Sequence, residues 1–526
     1  MVRRCTSVIA GRPVEGHPGG LTSSTNPAHL DDVVAEVALG DPDTFVRASL
    51  AAKAAQPSWA GVPAPVRGRV IAEIGRIVEA NKEGLARLVT REVGKPLAEA
   101  RGEVQEIIDT CDLFLGEGRR LYGETVPSEM RDKALFTFRM PVGAVAVVTA
   151  GNFPVAVPSW YLLPALLCGN TVVWKPAEYS AGVATALYEC MVAGGVPDGV
   201  LNLVLADGIT TFEGLRRSLD GGLVDKVGFT GSSAVGSLIG ELCGRHLQAP
   251  CLELGGKNPM VVMPDADLDL AVDGALFAGF GTAGQRCTSL GTAIVHESLH
   301  DEFVERLVAA LEAAPIGDPE EAVLYGPMLD ERFAHRFEEY LSSLVRPHHR
   351  LCGGSVGRIS SSSPRVNFVG DPDAGIFYHP VLVDGVRVDD DIARTETFGP
   401  LVGIARFVDF DEALAFANCS GYGLSASIYT TSAEAAFHFR SQIGAGMVSV
   451  NNSTSGAEAH LPFGGNGKSG NGSRQSGKWV LDQMTRWQSV NWDFSGRLQK
   501  AQMDTDVITA DRGFHLSWES PPLHAP

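Results

Sequence analysis

The chain has 526 residues, 44% of them hydrophobic and 20% charged, which is typical of a globular protein too long for a single core. Its formal net charge is −19, and so acidic a surface repels phosphate backbones, so no nucleic-acid partner is expected. The nine cysteines are scattered without a C-x-x-C pair, which argues against a zinc site or a disulfide framework and favours a reducing cytoplasm.

The sequence pattern of the N-terminal part of the chain predicts helices. Apolar residues recur with helical periodicity over 43–58, 66–92 and 94–122. The polar, β-prone stretch 122–140 follows, and a similar alternation appears at 485–492. We expect these two stretches to pair as an arm that projects from the body of the protein.

A first alternation of strands and helices begins at Pro141. Continuous apolar runs indicate strands that are buried on both faces of a parallel sheet, and helical patterns separate them. The strands are 141–148, 171–174, 200–204 and 225–230, and the helices are 180–194, 210–220 and 233–246. Residues 140–174 carry no charge, but prolines and glycines interrupt them, so we expect strand, loop, helix and strand rather than a membrane span.

A second alternation begins near residue 258. Its strands are 259–263, 292–295, 381–388, 401–408, 426–430 and 447–451, and its helices are 267–282 and 298–314. The fold class is therefore α/β, with two doubly wound parallel-sheet domains and a small β arm. The predicted boundaries are 1–121 with 141–252 for the first domain, 253–455 for the second, 122–140 with 480–497 for the arm, and 498–526 for a tail that is either disordered or draped over a neighbour.

Two glycine-rich loops carry groups suited to catalysis, one a thiol and the other a carboxylate. Cys287 lies in the glycine-rich run Gly279–Thr288 beside Arg286, and Glu253 enters the glycine turn of 253–257. These residue types suit a nucleophile and a base on one scaffold. Taken alone, however, a cysteine is more often an inert core residue.

Two strand ends could bind a nucleotide. Gly231 and Ser232 lie between a predicted strand and a helix, where backbone N–H groups can approach a phosphate, although G-x-G-x-x-G is absent and the segment could be only a tight turn. Lys175 and Glu178 end another strand, where they could hold an adenosine ribose or form a surface ion pair. A carboxylate at 178 would repel a 2′-phosphate and so favours NAD over NADP.

Two further segments carry polar groups suited to catalysis. The amide of Asn152 could donate to a developing oxyanion, or simply occupy a turn before Pro154. Glu396 and Phe398 would suit a ribose hydroxyl and a nicotinamide face, and a capped turn explains them equally well.

The joint order of these motifs resembles the aldehyde dehydrogenase superfamily across about residues 25–495. The matching segments are N-F-P at 152–154, W-K-P-A-E at 174–178, F-T-G-S at 229–232, E-L-G-G-K at 253–257, G-Q-R-C at 284–287, E-T-F-G-P at 396–400 and P-F-G-G at 462–465. The resemblance implies an NAD-dependent enzyme, with NADP as the alternative cofactor, that assembles as a homodimer or homotetramer. It also assigns the first domain to the cofactor and the second to catalysis.

The same resemblance implies a role for each site residue. Cys287 would be the nucleophile, Glu253 the general base, and Asn152 with the backbone N–H of Cys287 the oxyanion hole. The cofactor residues would be Lys175, which we also place in the catalytic set, with Glu178, Gly231, Ser232, Glu396 and Phe398. Phe153, Trp160 and Phe463 would line the aldehyde tunnel.

Part of the chain resembles the antiquitin branch, whose substrate is α-aminoadipic semialdehyde. In that branch the loop Ser455, Gly456 and Ala457 would hold a distal carboxylate, and Arg286 could add charge. We therefore expect a semialdehyde with a distal carboxylate or amino-acid end, although the loop could merely turn the chain. The Lys175–Glu178 pair departs from that branch, and Gly151 stands where many members of the superfamily carry tryptophan.

The sequence is also compatible with three other functions. A dehydrogenase for simple aliphatic or aromatic aldehydes would use the same residues. A CoA-acylating enzyme would form the same thioester, but such relatives often lack the base that Glu253 supplies. A structural or binding protein would not need the full catalytic set.

Overall fold

The computed structural model describes residues 2–498 and 510–518. A larger compact unit contains the residues up to 121 and 141–486, and a smaller one contains 122–140 and the residues from 487 onward. Most of the predicted tail, 498–526, lies outside the described residues. Among the helices of the described ranges, none combines the length and the apolar character that a bilayer crossing requires.

The N-terminal part of the chain forms short strands and four helices. The strands are β1 (Arg3–Thr6), β2 (Val8–Ile9), β3 (Arg12–Pro13), β4 (Gly20–Thr25) and β5 (Val33–Leu39), followed by α1 (Pro42–Ala60), α2 (Ala64–Ala80), α3 (Lys82–Val93) and α4 (Leu97–Arg120). Sequence patterns did not predict these strands, which are short and only partly apolar. The single helix predicted over 66–92 is wrong, because Asn81 leaves helical geometry and its side chain donates to the carbonyl of Ile77 at 2.7 Å.

The first large sheet contains the predicted strands in a parallel arrangement. After β6 (Thr125–Val126) and β7 (Lys133–Pro141), which belong largely to the smaller unit, come β8 (Ala144–Val148), α5 (Ala156–Leu167), β9 (Thr171–Lys175), α6 (Ala181–Ala193), β10 (Leu201–Leu203), α7 (Gly208–Asp220), β11 (Lys226–Thr230), α8 (Ser233–Gly244) and β12 (Cys251–Glu253). The strand order is β12-β11-β8-β9-β10-β2-β3, with β2 and β3 antiparallel at one edge. The uncharged run 140–174 thus forms strand, loop, helix and strand, as expected.

The second large sheet is also mostly parallel. Its segment contains β13 (Asn258–Val262), α9 (Leu268–Phe280), β14 (Leu290–His296), α10 (Glu297–Ala313), β15 (Ile316–Gly317), α11 (Glu331–Leu344), β16 (Arg350–Cys352), β17 (Phe368–Val369), β18 (Val381–Asp384), α12 (Asp391–Arg394), β19 (Leu401–Phe407), α13 (Phe410–Ala417), β20 (Tyr422–Gly423), β21 (Ser425–Tyr429), α14 (Ala433–Gln442), β22 (Met447–Val450), β23 (Asn466–Gly467) and α15 (Val480–Gln483). The strand order is β16-β18-β19-β14-β13-β21-β22, and only β16 is antiparallel to its neighbour. The α/β fold class with two parallel-dominated sheets is therefore confirmed.

The smaller unit is a three-stranded sheet. Its order is β24-β7-β6, where β24 is Thr485–Asp493, and β6 pairs antiparallel with β7. The guanidinium of Arg139 lies 4.2 Å from the ring centroid of Trp487 within this sheet. Residues 480–486, which the sequence had placed in the arm, belong to the larger unit.

The two large sheets present opposite edges to the candidate site. Asn152, Lys175, Gly231 and Glu253 lie at or just beyond the carboxyl ends of β8, β9, β11 and β12. Lys257, Cys287 and Glu396 precede β13, β14 and β19 at the amino ends of the second sheet. The site therefore collects residues that are far apart in the chain, such as Asn152 and Glu396, which are separated by 244 positions.

Candidate active site

The loop that carries Cys287 has an unusual backbone. Thr282 and Ala283, which follow α9, have φ values of 52° and 54°, in the left-handed region that costs a non-glycine residue about 1–2 kcal/mol. Gly284 continues the turn with φ 67°, and a Cβ there would lie 2.2 Å from the carbonyl oxygen of Gly399. The predicted helix over 267–282 ends at Phe280 for this reason. Contacts elsewhere must hold such a strained turn in place.

Asn258, the first residue of β13, fixes the backbone at the cysteine. Its Nδ2 donates to the carbonyl oxygens of Cys287 at 2.8 Å and Ser289 at 2.7 Å. A Cβ on Gly256 would lie 2.3 Å from the same Cys287 oxygen, so the glycine turn at 255–256 packs directly on the nucleophile loop. The close approach explains the glycine at 256, whereas a Cβ on Gly255 would collide with the carboxylate of Glu396.

Arg286 faces the body of the protein. Its guanidinium pairs with the carboxylate of Glu99 on α4 and lies 4.6 Å from the ring centroid of Phe277. Glu99 also accepts from the backbone N–H of Thr282 at 3.2 Å. The Arg286–Glu99 pair thus holds the strained loop against α4, and a role of Arg286 toward a substrate stays a prediction.

Asn152 reaches the cysteine loop from the first sheet. The side chain is buried, and its Nδ2 donates to the carbonyl oxygen of Gln285 at 2.9 Å. An amide nitrogen carries two N–H groups, so one further donor remains on Asn152. Asn152 thus contacts the segment that carries Cys287, and the oxyanion hole stays a prediction.

Glu253 ends β12 as a buried carboxyl group. Neither of its oxygens has a hydrogen-bond partner of normal geometry in the described part of the chain. Burial raises the pKa of this carboxyl well above its usual value, and Arg474, the Gly465 backbone and Gln475 oppose the shift only partly. A Cβ on Gly464 would lie 2.6 Å from Oε1, so the P-F-G-G segment must be glycine where it passes the carboxyl.

The Cys287 thiol is half-buried against the first core, and its environment disfavours the thiolate. Burial and the negative charges of Glu253 and Glu396 raise the pKa of this thiol to about 12. At neutral pH the sulfur is therefore protonated. Since the thiolate is the nucleophile, the site needs a base that takes this proton.

Glu396 and Lys257 are two buried ionisable residues near the cysteine loop. Oε1 of Glu396 accepts from the Gly256 N–H at 3.1 Å, and burial raises the pKa of this carboxyl to about 7. Burial lowers the pKa of the Lys257 ammonium to about 8, and its Nζ lacks a hydrogen-bond partner within the described ranges. Sequence reasoning assigned no role to Lys257, although a lysine at the start of a buried strand was a signal.

Lys175 and Glu178 lie together at the end of β9. Nζ of Lys175 is 3.5 Å from Oε2 of Glu178, and Arg332 on α11 donates to Oε1 of Glu178 at 2.9 Å. Burial alone would raise the pKa of Glu178, but Lys175 and Arg332 hold it below its usual value. The carboxylate stays charged and can accept from ribose hydroxyls. Sequence reasoning missed Arg332, which is 154 residues away in the chain.

Gly231 and Ser232 form the turn between β11 and α8. The Ser232 hydroxyl caps the helix by accepting from the Val235 N–H at 3.4 Å, and the Gly231 N–H donates to the Glu253 carbonyl at 3.1 Å. A Cβ on Gly231 would lie 2.6 Å from the Phe229 ring. A helix N-terminus beside a buried lysine and a charged glutamate suits a dinucleotide with its pyrophosphate and ribose.

An aromatic row extends from the ribose residues toward Phe398. The Phe398 ring lies 5.7 Å from Phe333, and Phe333 lies 5.7 Å from Tyr179. The Tyr179 hydroxyl accepts from the Gly151 N–H at 3.2 Å, and a Cβ on Gly151 would lie 2.5 Å from the Tyr179 ring. Tyr179 thus occupies the space into which a larger residue at 151 would project.

The predicted tunnel residues lie on the α5 side of the site. The rings of Trp160 and Phe463 are 4.5 Å apart, and the Phe153 ring lies 3.4 Å from Nζ of Lys95. Lys95 is fully buried and pairs with Glu103 of α4, which also accepts from the backbone N–H of Val155 at 2.7 Å. Aromatic surface and a buried charge pair therefore meet at this wall.

The loop of Ser455, Gly456 and Ala457 adjoins the nucleophile loop. The Ser455 hydroxyl is within 3.4 Å of both the hydroxyl and the carbonyl oxygen of Thr288. Gly456 has φ 134° and, with Ala457, is exposed. The loop is anchored at its buried serine beside residue 288 and presents open backbone beyond it.

Comparison with known proteins identifies the family. The model of the aldehyde dehydrogenase family matches residues 15–490. An α-ketoglutaric semialdehyde dehydrogenase of Bacillus subtilis is 34% identical over 92% of this chain and 96% of its own length, and the α-ketoglutarate semialdehyde dehydrogenase of Haloferax volcanii is 38% identical over 87% and 92%. An aldehyde dehydrogenase family 7 member A1 of Pisum sativum is 34% identical over 92% and 93%.

Comparison with solved structures indicates the same family. A betaine aldehyde dehydrogenase of Staphylococcus aureus in complex with NAD+ superposes with a TM-score of 0.87 at 28% identity, and the match covers 94% of this chain and 98% of that one. An Escherichia coli NADP-dependent enzyme superposes with a TM-score of 0.86 at 31% identity over 93% and 98%. The chain therefore belongs to the aldehyde dehydrogenase family, and the prediction of an aldehyde-oxidising enzyme with a nicotinamide cofactor is confirmed at that level.

Proposed function

We propose that this protein oxidises a semialdehyde with a distal carboxylate to the corresponding acid, with NAD or NADP as acceptor. One observation carries the chemistry: Asn152 donates to the backbone of Gln285, two residues before Cys287, while Gly256, three residues after Glu253, packs on the Cys287 carbonyl oxygen. A thiol, an oxyanion donor and a carboxyl group thus lie in segments that contact one another. We assign to these groups the roles that the sequence resemblance implies.

The reaction proceeds through two covalent states of Cys287. The thiol loses its proton to a base, the S–C bond forms at the aldehyde carbon, and the free N–H of Asn152 and the backbone N–H of Cys287 donate to the oxyanion. The bound nicotinamide supplies the acceptor for the hydride that leaves this carbon. The thioester that remains is hydrolysed by water, whose proton passes to Glu253 as the acid leaves Cys287.

Lys175, Glu178, Gly231, Ser232, Glu396 and Phe398 would hold the cofactor. A charged Glu178 suits ribose hydroxyls, and the Phe398 ring at the end of the aromatic row suits a nicotinamide face. Glu396 supplies a second carboxyl, anchored by the Gly256 N–H. The first large sheet would thus be the cofactor domain and the second the catalytic domain.

The proposal of a semialdehyde substrate rests on two observations. Curated relatives over most of the chain are named as semialdehyde dehydrogenases. Gly456 and Ala457 are exposed and follow Ser455, which contacts Thr288, so their backbone N–H groups could bind a distal carboxylate.

A substrate panel tests this assignment. Steady-state rates of NADH or NADPH formation at 340 nm would be compared for α-aminoadipic, α-ketoglutaric and succinic semialdehydes and for hexanal. We expect kcat/KM for at least one carboxylate-bearing semialdehyde to exceed that for hexanal at least tenfold, the least that a charge-assisted hydrogen bond contributes. A clear preference for hexanal would refute the carboxylate subsite.

Replacement of the nucleophile tests the reaction itself. Cys287→Ala should abolish NADH formation because no thiohemiacetal can form, while cofactor binding persists. Cys352→Ala is the matched control, since this half-buried thiol lies on the edge strand β16. Turnover by the first variant, or its loss in the second, would contradict the assignment. Addition of CoA to the wild-type assay separates acid from acyl-CoA as product.

We also propose a homo-oligomer in a reducing cytoplasm. All nine cysteines are free thiols, which suits such a compartment. The small three-stranded sheet exposes large aromatic side chains, among them Trp487 and Trp492, which is typical of surfaces that a partner covers.

A further inference from the structure

Arg332 occupies a special position beside the proposed ribose site. It lies in the first turn of α11, where its backbone N–H donates at 2.8 Å to the capping residue Asp330. Its Nε donates to the same carboxylate at 2.9 Å, and Nη1 donates to Glu178 at 2.9 Å. The guanidinium also lies 5.5 Å from the Tyr179 ring centroid. Two carboxylates and one ring thus fix its orientation.

The guanidinium nevertheless remains accessible. Its side chain is 61% exposed, whereas those of Glu178 and Lys175 are 20% and 7% exposed. Arginine has five N–H donors, and the contacts to Asp330 and Glu178 leave some of them directed at solvent. The cation therefore lies on the open side of the carboxylate that would receive the ribose.

The charges around Glu178 differ from those expected from the sequence. A lone carboxylate would repel a 2′-phosphate, which was the reason to favour NAD. Here the carboxylate contacts two cations, Lys175 and Arg332, the second of which it shares with Asp330, so its repulsion of a phosphate is reduced. Planar guanidinium groups also match phosphate oxygens with paired hydrogen bonds.

We infer that Arg332 is a residue that determines cofactor choice: it binds the 2′-phosphate of NADP, while Glu178 binds the ribose hydroxyls of NAD, so that the enzyme accepts both cofactors. This inference rests on the proposed function, since it concerns the same cofactor groove. Arg332 turns its Nη1 from Glu178 to the phosphate, and Asp330 retains its hydrogen bond to Nε of the guanidinium. Lys175 then neutralises Glu178 alone.

Calorimetric titration of NAD and NADP tests the inference without any aldehyde. Arg332→Ala should weaken NADP binding at least tenfold, as expected for the loss of a charge-assisted hydrogen bond, and change NAD binding less than about twofold. Arg346→Ala, which removes an exposed arginine paired with Asp391, is the control and should change neither. Thermal melting of each variant shows that the fold is intact.

A second variant makes the outcome decisive. Glu178→Gln removes the repelling charge and should tighten NADP binding while weakening NAD binding. Equal weakening of both cofactors by Arg332→Ala, no effect on either, or no NADP binding by the wild type would each overturn the role of Arg332. Failure of the proposed oxidation appears differently, as normal cofactor binding by the wild type without aldehyde-dependent reduction.

Discussion

At the scale of single residues, the site is organised around groups whose protonation is shifted by burial. Burial raises the pKa of the Cys287 thiol to about 12 and the pKa of the Glu253 carboxyl well above its usual value. Burial therefore disfavours both reactive forms, because catalysis needs the thiolate and the carboxylate. Activity should therefore rise as the pH rises through the elevated pKa of Glu253, since its base form increases in that direction.

The base can be separated from the nucleophile by one substitution. Glu253→Gln retains the shape of the side chain but cannot accept a proton, so hydrolysis of the thioester should slow by at least about a hundredfold. Intact-mass measurement after mixing with aldehyde and cofactor should show an acyl adduct on Cys287. Wild-type protein treated alike should show little adduct, and its absence in the variant would remove Glu253 as the base of the hydrolytic step.

The order of the sequence motifs predicted which residues belong to the candidate site better than it predicted which residues contact one another. The motifs named Cys287, Glu253, Asn152 and Glu396, and in the structure all four lie in segments that adjoin strands of the two large sheets. The partners of Glu178 and Arg286 could not be predicted in the same way. Arg332 and Glu99 lie on helices whose sequences carry only surface-like charge patterns, and only tertiary packing brings them to the site.

At the scale of elements, helix α4 supports the loop that carries Cys287 and the segment that follows Asn152. Glu99 and Glu103 are four residues apart and so lie on one face of this helix. Glu99 holds the loop of Cys287 through Arg286, and Glu103 accepts from the N-terminus of α5, just after Asn152. Apolar periodicity predicted this helix but not its supporting role, because glutamates spaced four residues apart are also typical of a solvent-exposed helix.

Loss of the buried pair in α4 should destabilise the protein. Glu103→Gln preserves an acceptor for the Val155 N–H but leaves Lys95 without its counter-ion in a fully buried site. Breaking such a pair costs about 3–5 kcal/mol. The melting temperature measured by calorimetry should fall markedly. Glu73→Gln, which breaks an exposed pair with Arg76 on α2, should leave it nearly unchanged, and equal effects would argue against this role.

At the scale of the whole molecule, two parallel-dominated sheets in one unit meet at opposite edges, and a separate small sheet forms the second unit. The periodicity of apolar residues predicted both large sheets because their strands are buried on both faces. The N-terminal strands β1 to β5 escaped prediction, because tertiary pairing rather than local pattern selects their extended backbone.

The small sheet should control assembly. Trp487 and Trp492 are 54% and 62% exposed, and replacing both by serine should shift the mass measured by light scattering toward the monomer. Phe437 on α14, which is 71% exposed outside this sheet, is the matched control, and Phe437→Ser should leave the mass unchanged. An unchanged mass in the double variant would show that another surface joins the subunits.

Burial of the Cys287 thiol also bears on its reactivity toward peroxides and alkylating agents. These reagents attack thiolates, and burial together with the neighbouring carboxyl groups raises the pKa of this thiol to about 12. The same desolvation that makes a base necessary for catalysis thus disfavours the form that such reagents attack.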